Sequence, residues 1–316
     1  MSRPRGWIGV AAFVIVAAIA ALFVNAALVD AETHAAIARD GGTVITTDVV
    51  PANVLIEGEG PAIVLIHGFG AALDWWDAVA PDLARDHRVI RLDLIGHGGT
   101  EAPERGYSIE RQAALVTALL DAQQVQRFTV IGHSMGGEVA TAVAEARPDR
   151  VAGVVLIDTP PTAAVDFNTV TQFYMSPVIG PLLSRFVTAS TRRRALAQAF
   201  TPGFAVPEAF VADLAQLTYT AAVGAHDESV AFRDARPLDQ RLAALQPIPP
   251  LQAIFGNLDA IVPATEARRY ETVPGASVTI IDGVGHSPMV EAPEKTLALI
   301  RAFLKRTIAD ATHQPS

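Results

Sequence analysis

The sequence contains no cysteine, which excludes a disulfide framework, a cysteine nucleophile and a zinc site built from cysteine ligands. Charged residues make up only 18% of the chain, the formal net charge is -9, and the basic run Arg192–Arg194 is short. Phosphate binding needs clustered Lys and Arg, so we expect no nucleic-acid partner and interpret that run as a solvated helix face. Aromatic residues make up only 6%, so the core must be mainly aliphatic.

Three patterns with known chemistry are also missing. The sequence has no H-E-x-x-H zinc motif, no phosphate-binding loop and no dinucleotide-binding glycine pattern. It therefore indicates neither a metal nor a cofactor.

The N-terminal segment is the longest apolar run in the 316 residues. Arg3 and Arg5 precede 21 uncharged residues from Ile8 to Leu28, and a helix of that length spans roughly 30 Å of hydrocarbon. Cleaved signal peptides have shorter apolar segments, of about 7–15 residues. We therefore predict an uncleaved membrane anchor over residues 1–30; cleavage before Ala27 or Glu32, giving a secreted protein, is the alternative. The two arginines predict a cytoplasmic N-terminus, with the rest of the chain on the extracytoplasmic side.

After a linker over residues 31–42, apolar runs typical of buried strands alternate with helical patterns. An antiparallel edge pair is predicted between Val44 and Ile56, with Pro51-Ala52-Asn53 as its turn. The further predicted strands are Ala62–Ile66, Arg88–Leu92, Phe128–Ile131, Val151–Ile157, Leu251–Phe255 and Ser277–Ile281. The predicted helices are Trp75–Arg85, Ser108–Gln123, Met135–Arg147, Pro263–Thr272 and Pro293–Thr307. This alternation predicts an α/β fold with a mostly parallel, doubly wound sheet.

One segment interrupts the alternation. Residues 43–159 and 251–307 form the predicted core, whereas residues 160–250 contain short helical patterns and no convincing strand. We predict a helical cap there. A disordered linker is disfavoured by its aromatic residues, which are Phe173, Tyr174, Phe186, Phe200, Phe204, Phe210 and Tyr219. Residues 308–316 are predicted to be a flexible tail.

The candidate nucleophile is Ser134, in Gly132-His133-Ser134-Met135-Gly136. This G-x-S-x-G pattern directly follows one predicted strand and directly precedes a predicted helix. Such a turn presents a serine hydroxyl above the carboxyl end of a parallel sheet, where ligands bind.

A serine needs a base, and the base needs an acid that orients it. His286 follows the last predicted strand and so reaches the same edge of the sheet as Ser134; His67 and His97 are expected to organise loops instead. Asp259 lies in the loop after Leu251–Phe255 and is the predicted acid. Asp158, at the end of Val151–Ile157, is its main rival, since Asp282 lies too close to His286 along the chain.

The predicted oxyanion hole consists of two backbone N–H groups. One belongs to Phe69, in the His67-Gly68-Phe69-Gly70 turn after Ala62–Ile66, and the other to Met135.

With these elements in place, residues 43–306 resemble the α/β-hydrolase superfamily, in the capped branch that contains serine esterases and lipases. Arg91–Thr100 resembles that family's R-x-D-x-x-G-x-G-x-S loop, with Thr100 in place of serine, and Trp75-Trp76 is a further similar feature. The resemblance implies an α/β-hydrolase fold with a cap. Its epoxide hydrolases and haloalkane dehalogenases use an aspartate nucleophile, so Ser134 disfavours those activities.

The predicted reaction is hydrolysis of a carboxylic ester of medium chain length through an acyl-enzyme. Trp75 and Trp76 are expected to line an apolar acyl pocket together with the cap. Thioester or carbon–carbon bond hydrolysis, perhydrolysis, and ligand binding without turnover are the alternatives. The oligomeric state stays open.

Overall fold

The computed structural model describes residues 5–36, 41–163, 176, 180–184 and 186–313. Arg3, the cap aromatics Phe173 and Tyr174, and the last three residues of the predicted tail lie outside these ranges.

Eight strands form one sheet in the order β1-β2-β4-β3-β5-β6-β7-β8. The strands are Thr43–Ile45 (β1), Ala52–Glu57 (β2), Ala62–Ile66 (β3), Arg88–Leu92 (β4), Phe128–His133 (β5), Val151–Ile157 (β6), Leu251–Gly256 (β7) and Ser277–Ile281 (β8). β2 pairs antiparallel with β1 and β4, and the remaining pairs are parallel. The predicted mostly parallel sheet is confirmed. The predicted turn at Pro51-Ala52-Asn53 is wrong, because Ala52 and Asn53 already belong to β2 and the connection lies before them.

The central strands are buried on both faces, which explains their unbroken apolar sequences. In β3, Ile63 and Leu65 pack into the core on one side of the sheet, and Val64 and Ile66 pack into the core on the other side. All four side chains are fully buried. Because successive side chains of β3 point to opposite faces of the sheet, this one strand contributes to both hydrophobic cores. Its packing on both faces fixes the position of the loop that follows it.

The helices surround this sheet. In the core they are Ala80–Leu83 (α2), Ile109–Ala122 (α3), Met135–Ala146 (α4), Pro288–Glu291 (α10) and Pro293–His313 (α11), with 3-10 turns at Leu73–Trp76 and Ala264–Thr272. The single predicted helix Trp75–Arg85 is thus two short pieces, separated where Val79 takes a non-helical backbone conformation before Pro81. The last helix continues to His313, so the described part of the predicted tail is helical.

Between β6 and β7 the described residues are helical rather than extended. The helices are Gly180–Ser184 (α5), Ala189–Leu196 (α6), Glu208–Gln216 (α7), Tyr219–Ala235 (α8) and Leu238–Ala243 (α9). Phe200, Phe210 and Leu196 of this segment are buried and belong to the same hydrophobic cluster as Trp75. The insertion therefore packs onto the carboxyl edge of the sheet instead of extending into solvent.

A long N-terminal helix, Arg5–Ala36 (α1), precedes the sheet. Its segment Gly9–Ala31 has a mean hydropathy of 2.7 over its apolar window, and only 6% of that window is buried against the rest of the protein. Such a helix is long and apolar enough to be a membrane anchor or a signal sequence. Near its end, Asp30 accepts a 3.0 Å hydrogen bond from the Tyr219 N–H at the start of α8. The apolar helix is therefore joined to the insertion by a capping contact.

Candidate active site

Ser134 occupies the turn between β5 and α4, with φ 51° and ψ -122°. This backbone conformation is costly for any residue with a side chain. Two backbone hydrogen bonds hold it: the Ser134 N–H donates to the Ile157 carbonyl at 2.8 Å, and the Ser134 carbonyl accepts from Gly137 N–H at 2.9 Å. The strained turn is thereby fixed to β6, and it leaves the serine partly exposed at the carboxyl end of the sheet.

Glycines let the chain pass through this turn. A Cβ at Gly132 would lie 2.2 Å from the Gly136 carbonyl oxygen, and one at Gly136 would lie 2.3 Å from the Ile66 carbonyl oxygen. Neither contact can be relieved by moving a flexible side chain, because both partners are backbone atoms. The G-x-S-x-G spacing is therefore required by the close approach of α4 to β3 and β5.

His286 and Asp259 are joined by a hydrogen bond of 2.7 Å between Nδ1 and Oδ2. Both side chains are almost completely buried. The other carboxylate oxygen of Asp259 accepts from the N–H groups of Ile261 and Val262 at 2.7 and 2.9 Å. Burial favours a raised pKa for Asp259, but the His286 charge and hydrogen bonds from His286, Asp158 and Val262 outweigh it and hold that pKa below its usual value.

Asp158 lies beside this pair and is fully buried, with a left-handed backbone at φ 43°. Its Oδ1 accepts from the Gly256 N–H at 3.0 Å. Burial raises the pKa of Asp158 well above its usual value, and the Asp259 charge raises it further. Because the pKa of Asp259 is lowered and that of Asp158 is raised, a proton shared between the two carboxyl groups is favoured on Asp158. Sequence order alone ranked the two aspartates as rivals, whereas the structure brings them together.

Asp158, Asp259 and His286 are also the one group of potential metal ligands found within the described ranges, with ligand atoms within 4.8 Å of one another. The lone pairs of Asp259 already accept from His286 and two backbone N–H groups. This donor set therefore fits a chain of hydrogen bonds better than a metal coordination sphere.

The loop after β3 approaches Ser134 closely. A Cβ placed on Gly68 would lie 3.1 Å from the Ser134 Cβ, so this part of the backbone runs directly beside the turn. Phe69, Ser134 and Met135 border one cavity. The two residues predicted to supply the oxyanion hole therefore border the same cavity as the serine.

Three other histidines organise this region in their neutral form. His67 uses Nδ1 toward the Gly68 carbonyl and accepts at Nε2 from the Leu94 N–H, and burial lowers its pKa to about 4. Burial lowers the pKa of His97 to about 3 and that of His133 to about 3. His133 Nε2 lies 2.7 Å from the His286 carbonyl oxygen. The residue before the serine therefore anchors the backbone of His286, a role that the sequence does not reveal.

The Arg91–Thr100 loop supports the same edge of the sheet. Asp93 accepts from the N–H groups of Leu73 and Gly99, both at 2.8 Å. Thr100 Oγ1 donates to the Asp93 carbonyl at 2.8 Å and accepts from Asn53 N–H at 2.9 Å. The Thr100 hydroxyl group, at the position where the family pattern has serine, thus makes one hydrogen bond as donor and one as acceptor.

The cavity in front of Ser134 has a volume of about 60 Å³. Its apolar lining consists of Phe69, Met135, Pro160, Ile261 and Val262, and its polar lining of Ser134, Glu138, His226, Ser229 and Arg233. Glu138, His226, Ser229 and Arg233 were not among the sequence-derived candidates, because only the fold brings α4 and α8 together.

The two tryptophans occupy different places. Trp75 is 3% exposed and stacks on Phe210 with ring centroids 4.2 Å apart, and on Phe200 and His133 at 5.9 and 6.2 Å. Trp76 is fully buried in the core. Its ring belongs to the hydrophobic cluster that also contains Trp75, and a role of Trp76 in an acyl pocket stays a prediction.

Known proteins support the fold assignment. The family model of the alpha/beta hydrolase fold matches residues 61–293. A pimeloyl-[acyl-carrier protein] methyl ester esterase of Aromatoleum aromaticum is 35% identical over 267 residues, which are 78% of this chain and 98% of that esterase. The chain belongs to the α/β-hydrolase family. It is a hydrolase, as the resemblance implied.

The chain is also similar to a second curated protein and to a solved structure. A non-heme chloroperoxidase of Streptomyces lividans is 30% identical over 284 residues, which are 84% of this chain and 99% of the chloroperoxidase. The crystal structure of a membrane phospholipase A, described as a bacterial virulence factor, matches with a TM-score of 0.71 and 25% identity. That match covers 96% of this chain and 99% of the phospholipase. The match to the phospholipase therefore extends beyond residues 61–293, which the family model matches.

A pair of carboxyl groups connects α7 of the hydrolase to the loop after β3. Asp213 on α7 accepts from Trp75 Nε1 at 3.2 Å and shares a hydrogen bond with Asp74. Burial raises the pKa of Asp74 to about 6, and burial together with the Asp74 charge raises the pKa of Asp213 to about 8. Both pKa values lie above those of the unfolded chain. The contribution of these two carboxyl groups to the free energy of unfolding is therefore complete below about pH 4 and is lost as the pH rises through 6 to 8.

We expect Asp213→Asn to be more stable than the wild type at pH 9, since an amide keeps a hydrogen bond to Asp74 without ionising. The difference in melting temperature should increase from pH 6 to pH 9 and reach a few degrees. Asp234→Asn, which changes an exposed carboxylate on α8, is the control. A difference that does not vary with pH would contradict the assignment.

Proposed function

We propose that this hydrolase is a serine esterase that cleaves carboxylic esters through an acyl-enzyme, with Ser134 as nucleophile, His286 as base and Asp259 as acid. The observation that carries the proposal is the 2.7 Å hydrogen bond from His286 Nδ1 to Asp259 Oδ2. It fixes the imidazole so that Nε2 is the nitrogen left to accept a proton. The strained turn at Ser134 lies at the same edge of the sheet and supports the nucleophile's role.

In the proposed mechanism, Ser134 Oγ attacks the ester carbonyl while His286 Nε2 takes its proton. The carbonyl oxygen becomes an oxyanion, which the backbone N–H groups of Phe69 and Met135 stabilise. Met135 is the first residue of α4, and a helix N-terminus favours negative charge. His286 then gives the proton to the leaving alkoxide, and the alcohol departs. Water repeats the sequence on the acyl-enzyme, releases the carboxylic acid and restores Ser134.

Asp259 stays ionised through this cycle and balances the charge that His286 gains. Its two backbone donors and the hydrogen bond from protonated Asp158 support that role, because all of them stabilise the carboxylate form. A serine at position 134 does not support the ester intermediate that an aspartate nucleophile forms.

The proposed substrate is a small ester with an apolar acyl group of medium length. The apolar side of the cavity supports the apolar character of the acyl group, and the relation to a methyl ester esterase supports an ester. Residues 160–250 are proposed to act as a cap over the site, and Trp75, held by Phe200 and Phe210, to support its acyl side.

Hydrolysis of a series of 4-nitrophenyl esters from acetate to dodecanoate tests the nucleophile. We expect the highest kcat/KM at medium length, and a loss of about 10⁴-fold or more in Ser134→Ala because the acyl-enzyme cannot form. Ser190→Ala removes an exposed hydroxyl group and is the control. Retention of wild-type activity by Ser134→Ala would refute the proposal.

Replacing each aspartate with asparagine tests the acid. Asp259→Asn should lower kcat by about 10⁴-fold, since an amide does not favour the required imidazole tautomer. Asp158→Asn should cost much less, because its amide still donates to Asp259. The assignment is wrong if Asp158→Asn alone abolishes hydrolysis.

We also propose that α1 stays uncleaved, with Arg5 on the cytoplasmic side and the catalytic domain on the extracytoplasmic side. The apolar segment Gly9–Ala31 and the contact between Asp30 and α8 support this arrangement. Mass analysis of the N-terminal peptide of the membrane-fraction protein should find the intact leader. A start at Ala27 or Glu32 would show that the leader is a cleaved signal.

A further inference from the structure

Glu138 lies in the wall of the cavity that contains Ser134 and is 1% exposed. It stands on α4, one helical turn after the serine. The proposed esterase mechanism does not use it, yet a buried carboxylate is costly unless something in the structure compensates for it.

One oxygen of Glu138 is fully engaged by α8. Oε1 lies 3.0 Å from Arg233 Nε and accepts a 2.9 Å hydrogen bond from Ser229 Oγ. Arg233 also donates to the Thr162 carbonyl at 2.8 Å. These contacts fix the position of Glu138 and attach α8 to α4.

The other oxygen, Oε2, is buried and has no hydrogen-bond partner in the described part of the chain. An unsatisfied buried acceptor costs about 1–3 kcal/mol, so native structures generally provide it with a partner. Here the residue borders a cavity, and a bound molecule can supply the missing hydrogen bond.

The cavity is small, so that hydrogen bond must come from a group near the reacting carbonyl. A volume of about 60 Å³ holds about two water-sized groups at about 30 Å³ each. An acyl chain with its carbonyl at Ser134 therefore brings its first few carbons past Glu138. The apolar part of the wall, formed by residues such as Phe69, Met135 and Val262, accommodates carbon, and His226 is a further polar residue of the lining.

Charge limits what that group can be. Burial raises the pKa of Glu138 to about 7, although Arg233 and Ser229 lower it, so both protonation forms occur near neutral pH. A carboxylate on the substrate would be repelled by ionised Glu138, and a cation by Arg233. A hydroxyl group both donates and accepts, and so it pairs with either form of the carboxyl group.

We propose that Glu138, held by Ser229 and Arg233, forms a polar subsite that binds a hydroxyl group on the second or third carbon of the acyl chain. The substrates are then hydroxyacyl esters, rather than plain alkanoyl esters of the same length. This inference rests on the proposed esterase activity for its placement of the acyl chain.

Matched esters test the subsite: 4-nitrophenyl butanoate against its 2-hydroxy and 3-hydroxy derivatives. We expect the wild type to favour one hydroxy ester by about tenfold or more in kcat/KM, after correction for spontaneous hydrolysis, which corresponds to one hydrogen bond of about 1.4 kcal/mol. In the double variant Glu138→Met/Arg233→Met, which removes both charges without leaving either unpaired, the ratio should fall to about one.

The control is Glu145→Gln. Glu145 also lies on α4 and forms an ion pair with Arg241 of α9 at 3.1 Å, but it does not border the cavity. It should keep the wild-type ratio, because its pair serves only to attach the insertion. Equal rates for plain and hydroxy esters in the wild type, or an unchanged ratio in the double variant, would overturn the subsite.

Binding to Ser134→Ala protein, measured by calorimetry with the same esters, separates the subsite from catalysis. Tighter binding of a hydroxy ester, lost when Glu138→Met/Arg233→Met is added, supports the subsite even if the wild type hydrolyses no ester. In that case the esterase proposal fails alone. Equal binding of plain and hydroxy esters refutes the subsite, whatever the rates are.

Discussion

The backbone of Ser134 is the constraint on which the rest of this site depends. Its positive φ is held by hydrogen bonds to Ile157 and Gly137, and the turn is possible because Gly132 and Gly136, two residues away on each side, carry no Cβ. Parallel strands on both sides bring the loops after β3, β7 and β8 to the same edge. The sheet thus supplies the rigidity that a strained serine requires, and loops supply the groups around it.

Burial divides the acidic groups of this edge into two kinds. The pKa of Asp259 is lowered because His286 and backbone donors stabilise its charge, whereas burial and the Asp259 charge raise the pKa of its neighbour Asp158 well above its usual value. The carboxyl groups of Asp74 and Asp213 likewise hold protons at higher pH than exposed ones. The surroundings of each carboxyl group, rather than its residue type, therefore set its pKa. Asp259, whose pKa is lowered, is the carboxyl group that faces the imidazole of His286.

Local sequence patterns predicted most of the frame. Strands such as Ala62–Ile66 are buried on both faces, so the apolar run in the sequence begins and ends where the strand does. The turn at Ser134 was predictable because the two glycines it requires, Gly132 and Gly136, lie within two residues of the serine in the sequence. The different surroundings of the two tryptophans were not predictable, since adjacent identical residues do not signal that Trp75 stacks on Phe210 and that Trp76 is fully buried. The pairs Asp158–Asp259 and Glu138–Arg233 were not predictable, because about a hundred residues separate their partners and only the tertiary fold brings them together.

The central claim is that Ser134 is a nucleophile activated by His286, and covalent labelling tests it most directly. The folded protein is incubated with a fluorophosphonate, and intact mass and peptide mapping locate the adduct. We expect one adduct, on Ser134, with labelling strongly slowed in His286→Ala and absent after denaturation. A folded, unlabelled wild type, or an adduct on another residue, would contradict it.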